Sequence, residues 1–458
     1  MTVVENKWLS GPYAPIEGDV TATELTIEGT LPPELEGRYL RNGPNPITPV
    51  DPATHHWFVG DAMVHGVRLS GGKADWYHAR MVRSTTVSEA LGEEPVPGER
   101  HADMETANTN VIGLGGKTFA IVEAGGRPVE LSYELDTVRH SDFGGGLPHG
   151  YTAHPKVDPR TGDVHAISYH WAIPHLEYSV IGADGVVKQV SPVEIPDGDG
   201  PMVHDCSITE TWAVVYDLPV TFDLDTAMTG GGFPYTWKHD RAARLGLIPL
   251  GGSGADVRWF EINPCYAFHP LNAHDDGDRV VIDIVRYDRM FDVARLGPDD
   301  SAPLLWRWTI DAAAGTVKEE QLGDIPMEFP RVDERVVGRP HRWGYGSAVR
   351  RSELDNSFGG GLVRLDGKTG DQTMISLGEG HSAGEWSMVP RHPDAAEDDG
   401  WLISLGYDKT IERGELLVLP AADPAAGPVA RVILPNRIPV GFHGNWVPDR
   451  DDQDAAEG

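Results

Sequence analysis

Short apolar, strand-like runs recur from one end of the chain to the other, at residues 117–123 (KTFAIVE), 164–171, 212–220, 279–286, 401–407, 415–419 and 429–434. Tight-turn signals separate them, among them Asp158-Pro159-Arg160-Thr161-Gly162, Ala183-Asp184-Gly185 and Asp366-Gly367-Lys368-Thr369-Gly370. The repeated unit is strand, turn, strand. Spread over 458 residues, seven such units of about 65 residues each would have the size of propeller blades with insertions. A single all-β domain over residues 1–458 is the expectation. The best helical stretch, Lys238 to Leu250, follows the glycine run Gly230-Gly231-Gly232-Phe233-Pro234 and interrupts the β pattern. Two readings of this region, Phe233 to Leu250, stay open: it caps one face of the fold, or Phe233, Tyr235, Trp237, Leu245, Leu247 and Ile248 rest weakly on a lipid surface. Residues 449–458 read as a disordered acidic tail.

Composition narrows the function. The 54 glycines and 36 prolines are spread along the chain, as turns are, and 40% hydrophobic content suffices for a large core. Against 38 basic residues stand 70 acidic ones, a formal charge of −32 that opposes nucleic acid through Coulomb repulsion. Cys206 and Cys265 are the only cysteines, too few to staple the chain, and read as buried inert thiols. The first ten residues lack an apolar h-region and no window spans a bilayer, so the expected location is cytoplasmic, with peripheral membrane contact as the one qualification.

Four histidines carry the candidate chemistry. Thr152-Ala153-His154-Pro155, Met202-Val203-His204-Asp205, Ala267-Phe268-His269-Pro270 and Gly441-Phe442-His443-Gly444 each place an imidazole where a strand stops, beside a proline, glycine or aspartate. Their separations of 50, 65 and 174 residues approximate one repeat or a multiple of it. Such positions converge only if the units surround an axis. Four neutral imidazoles suit Zn, Cu, Fe or Ni, and leave the full charge of a divalent ion and open positions on it, which favours redox chemistry over a closed structural site. A lone histidine of the 19 present is more often a packing residue; the set of four is the stronger signal. Glu123, Glu328 and Glu385 sit among apolar neighbours, where a carboxylate is costly unless paired, and a ligand imidazole needs such a partner on its second nitrogen.

These residues resemble the carotenoid cleavage oxygenase family, which includes carotenoid and apocarotenoid dioxygenases, stilbene cleavers and the retinal pigment epithelium isomerohydrolase. The resemblance covers nearly the whole chain, from Gly37-Arg38-Tyr39-Leu40-Arg41-Asn42-Gly43-Pro44 and Phe58-Val59-Gly60-Asp61-Ala62-Met63-Val64 through Asn108-Thr109-Asn110 to Phe442-His443-Gly444. It implies a seven-bladed β-propeller with a helical and loop dome over one face, and Fe(II) held by His154, His204, His269 and His443. It further implies that Glu123 orients His204, Glu328 orients His269 and Glu385 orients His443, leaving His154 without a carboxylate. Thr109 matches the position that restricts dioxygen to one open site, and Phe58, Val122 and Phe268 would line the substrate tunnel. The implied reaction splits a conjugated C=C bond of an apolar polyene with O2 into two carbonyls. Stilbene cleavers of the family carry lysine where this chain has Val122, which favours a carotenoid or apocarotenoid over a stilbene or phenylpropenoid. An isomerohydrolase or a non-catalytic apocarotenoid binder is the alternative of another class. Cys206 departs from the aromatic residue many relatives carry there, which bears on cavity shape rather than on the ligands.

Overall fold

The computed structural model describes residues 6–101, 105–198, 200–230, 232–351 and 356–449. Among them the strands form seven sheets of four or more strands and one two-stranded hairpin. Each of the seven is an antiparallel blade, and together they make a seven-bladed β-propeller. Hairpin turns between blade strands fall where the sequence puts them: Gly162 (φ +74°) and Gly185 (φ +79°) take the left-handed conformation that a residue with a Cβ adopts at a cost.

Both chain ends close the ring. The C-terminal strand Gly444–Pro448 pairs with Gly37–Pro44 as the innermost strand of the first blade, whereas the N-terminal strand Thr26–Gly29 pairs with Ala430–Ile433 at the outer edge of the last. Faces of neighbouring blades bury apolar side chains against each other, for instance Val214, Leu245, Ile282 and Trp308 in the largest cluster. Cys206 and Cys265 lie buried and unbridged within it, and burial pushes both thiols up to about 12.

The helix read at Lys238 to Leu250 is not there. That segment supplies the strand Ala243–Pro249, the third of a blade, between Trp212–Asp217 and Arg258–Ile262. Ladder pairing on both edges and burial of Leu245, Leu247 and Ile248 outweigh its helical propensity. The helix lies earlier, at Leu224–Thr229, capped by Asp223 accepting from the Thr226 N–H (2.8 Å) and ended by Gly230 at φ +66°. It sits within the hairpin of Val220–Phe222 and Tyr235–Trp237, in the dome. Tyr235 and Trp237 are buried and Phe233 half-buried, so these residues do not form an exposed apolar face; Leu224 and Met228 on the helix do. Of the tail, Asp449 is fixed, accepting from Arg68 Nη2 and the Tyr133 hydroxyl (both 2.7 Å); residues 450–458 lie outside the described residues.

Candidate metal centre

Every innermost strand begins near the axis, and the residues beside those starts make the site. His154 precedes Lys156–Val157, His204 precedes Cys206–Ile208, His269 precedes Pro270–Asp276 and His443 precedes Gly444–Pro448, each the inner strand of a different blade. The other three blades contribute Thr109 before Asn110–Leu114, Glu328 within Met327–Arg331 and Glu385 between His381–Ala383 and Ser387–Pro390. The four imidazoles are buried and each offers a ring nitrogen within 4.8 Å of the others. His204 Nε2 lies 3.0 Å from His154 Nε2 and 3.1 Å from His269 Nε2.

Three carboxylates fix which nitrogen faces inward. Glu123 Oε1 accepts from His204 Nδ1 (2.8 Å), Glu328 Oε2 from His269 Nδ1 (2.6 Å) and Glu385 Oε1 from His443 Nδ1 (3.1 Å). In the neutral tautomer so selected, Nε2 carries a lone pair rather than a proton. Burial, reinforced by the neighbouring imidazoles, holds His154, His269 and His443 below the usual histidine range. For His204 burial acts the same way and is the largest single influence, but the charge and hydrogen bond of Glu123, with Asp205 and Glu328, together outweigh it and the net direction is upward. Lone pairs about 3 Å apart repel unless a cation lies between them. A single proton can bridge one such pair; one metal ion serves all four. With metal–imidazole bonds of about 2.1 Å, nitrogens this close together could be held by one ion. The donor set fits a borderline divalent ion.

The supporting carboxylates are themselves supported. Glu328 also accepts from the Tyr287 hydroxyl (2.9 Å) and the Phe329 N–H (2.6 Å). Glu385 accepts from the Gly444 N–H (2.8 Å) and pairs with Arg331 (3.2 Å); burial alone would raise its carboxyl, but Arg331 and His443 bring it down to about 2. His154 has no such hydrogen bond, although the buried Asp205 carboxylate stands 3.6 Å from its Nδ1 and is held by Lys156 at 2.6 Å. Tyr287, Arg331 and Asp205 escaped the sequence reading; only the adjacency of Asp205 to His204, and of Arg331 to the Glu328 frame, could have signalled them.

A cavity of about 650 Å³ opens above the imidazoles under the dome. Thr109, Phe58, Val122 and Phe268 all line it, together with His204, His269 and His443. Phe58 meets Phe268 and Phe442 edge to face, with centroids 5.6 and 5.7 Å apart, so the walls are aromatic and apolar. The Thr109 hydroxyl donates to Asn108 Oδ1 (3.1 Å).

The retinal pigment epithelial membrane protein family model matches residues 13–448. A carotenoid cleavage oxygenase of Mycobacterium tuberculosis is 44% identical over 97% of this chain and 98% of its own. The chain belongs to the carotenoid cleavage oxygenase family. The fold of this oxygenase also matches solved structures. Pseudomonas brassicacearum lignostilbene dioxygenase superposes with a TM-score of 0.86 at 29% identity, covering 98% of this chain and all of that one. Cobalt-substituted Synechocystis ACO gives 0.85 at 28% identity, covering 96% and 98%. This oxygenase therefore shares its fold, over nearly its whole length, with a lignostilbene dioxygenase and an apocarotenoid oxygenase.

Proposed function

We propose that the chain is an Fe(II)-dependent dioxygenase that cleaves one conjugated C=C bond of a carotenoid or apocarotenoid. The C=C bond breaks, each carbon takes one oxygen atom of O2, and two aldehyde or ketone products result. The observation that carries this reading is an aromatic, apolar cavity of about 650 Å³ that ends on three of four convergent imidazoles, those of His204, His269 and His443. Ferrous ion held by His154, His204, His269 and His443 would supply the binding and activation of dioxygen. Glu123, Glu328 and Glu385 keep three of these rings in the ligating tautomer. Thr109, on the cavity wall, restricts where dioxygen can approach. Phe58, Val122 and Phe268 position a rigid polyene by contact and exclude water, so cavity depth selects the bond.

Substrate arrives from an apolar phase. Beside the cavity the helix Leu224–Thr229 exposes Leu224 (56%) and Met228 (79%). We assign this rim a weak peripheral contact with lipid. No helix among the described residues is long and apolar enough to cross a membrane.

A second reading, cleavage of a stilbene or phenylpropenoid, is favoured by Tyr169 and Tyr235 on the same wall, whose hydroxyls suit a phenolic substrate. The apolar Val122 opposes it. Incubating iron-loaded protein with β-carotene, apocarotenals and 4-hydroxystilbenes under ¹⁸O₂ separates the readings. Labelled carbonyls from a polyene, one label in each product, are expected. Turnover of hydroxystilbene alone transfers the assignment to the second reading, and unlabelled products remove the dioxygenase.

A further inference from the structure

The rim of the metal centre divides two unlike cavities. Along the inner strands the chain passes from one to the other: Thr109, His204 and Phe329 line the apolar one, and the residues that follow them, Asn110, Asp205 and Pro330, line a second cavity of about 510 Å³. His204 lines only the first, His154 only the second, and His269 and His443 line both, so the imidazoles stand between the two cavities. The walls of the second cavity carry Lys156, Asp205, Arg331, Glu334, Arg335 and Glu385, and it reaches the surface at Val157 and Glu334, both exposed.

A hydrated divalent cation meets very different costs on the two sides. The apolar cavity would strip its water and offer aromatic walls in return, which is prohibitive. The second cavity, the more polar of the two, carries the carboxylates Glu334, Asp205 and Glu385 between the surface and the imidazoles. Its guanidinium groups are already paired, Arg331 with Glu334 (2.6 Å) and Glu385 (3.2 Å), and Arg335 with Asp333 (2.6 Å). Two of its carboxylates stand next to ligand rings: Glu385, 3.1 Å from His443 Nδ1 and already paired with Arg331, and Asp205, 3.6 Å from His154 Nδ1. Asp205 is held by the ammonium of Lys156, whose side chain is part-exposed and able to swing away.

We propose that the polar cavity is the route by which ferrous ion reaches the centre, with Asp205 its last carboxylate and Lys156 the group the ion displaces. Metal then loads from one face and substrate from the other, so an occupied apolar cavity does not block loading. This rests on the metal reading given above. The residues that define the route lie in reach of the aqueous face, and the strongly acidic surface, at −32, favours cation encounter.

The test is the bimolecular rate at which Co(II), followed by its visible absorption, binds anaerobically to metal-free full-length protein. With the apolar cavity filled by decyl glucoside, to saturation of the fluorescence change of Trp57 and Trp171 on its wall, the rate is expected to stay within about twofold. Asp205→Asn should slow it about tenfold, the scale of electrostatic steering, and Lys156→Gln should speed it several-fold. These opposite signs separate the route from a general loss of structure, and Lys156→Gln, at a part-exposed position, serves alone should Asp205→Asn not fold. A tenfold slowing by the glucoside, or a Lys156→Gln rate that is unchanged or lower, overturns the route. Absence of Co(II) binding in the unmodified protein overturns the metal reading instead.

Discussion

Glu328, from the inner strand of one blade, accepts a 2.6 Å hydrogen bond from Nδ1 of His269, which begins the inner strand of the blade before it. The contact spans 59 residues of sequence. It does locally what the propeller does globally: it turns a chain repeat into a fixed ring orientation on the axis.

Removing the charge of that carboxylate should loosen the ligand without unfolding the blade. Glu328→Gln is expected to weaken ferrous affinity about 10–100-fold, measured by competition with a chromogenic chelator. Tyr287→Phe, which removes only the 2.9 Å hydroxyl contact to the other oxygen, should cost less. Equal affinity in Glu328→Gln and the unmodified protein would show that ring orientation does not depend on Glu328.

Loss of a ligand is a stronger perturbation. His269→Ala should abolish metal retention through gel filtration and turnover together. Retained turnover would remove His269 from the centre.

Val122 tests substrate choice. It lies buried beside Glu123 on the apolar wall. Val122→Lys is expected to lower polyene cleavage more than tenfold and to introduce measurable cleavage of 4-hydroxystilbene; a polyene rate within twofold of the original would show that the substrate does not pass Val122.

The acid limb of stability has an identifiable contributor. Glu385 has its carboxyl lowered from 4.5 to about 2: burial acts upward, and Arg331 and His443 outweigh it. A folded-state value below the unfolded one gives a stabilisation fully present above pH 4.5 and lost as pH falls towards 2. Arg331→Met should raise that carboxyl and move the acid-unfolding midpoint of the metal-free protein to higher pH, followed by circular dichroism. An unmoved midpoint would detach Arg331 from Glu385.

The lipid contact is tested at the helix that presents it. Leu224→Glu with Met228→Glu should abolish flotation of the protein with phosphatidylcholine vesicles, since both side chains are largely exposed. Undiminished flotation would place the contact elsewhere.

Much of this architecture was legible from residue order. Frames such as Ala267-Phe268-His269-Pro270 mark strand ends because proline cannot donate to a ladder, and the spacing of four such frames already required an axis. Residues Lys238 to Leu250 differ from the helix their sequence predicts, since Leu245, Gly246, Leu247 and Ile248 carry no marker of strand over helix until the flanking strands Trp212–Asp217 and Arg258–Ile262 pair with them. Tyr287, Arg331 and the Asp205–Lys156 pair were invisible for a related reason: each acts on a residue that only the closed ring brings near. Asp205, one position before the strand Cys206–Ile208, carries no signal of His154, the imidazole it faces.

The central claim is that one iron ion is shared by His154, His204, His269 and His443. X-ray absorption at the iron edge, on protein loaded anaerobically with one equivalent of ferrous ion, measures this directly. Four imidazole nitrogens at about 2.1 Å are expected; two or fewer imidazoles, or iron left in solution, would contradict it.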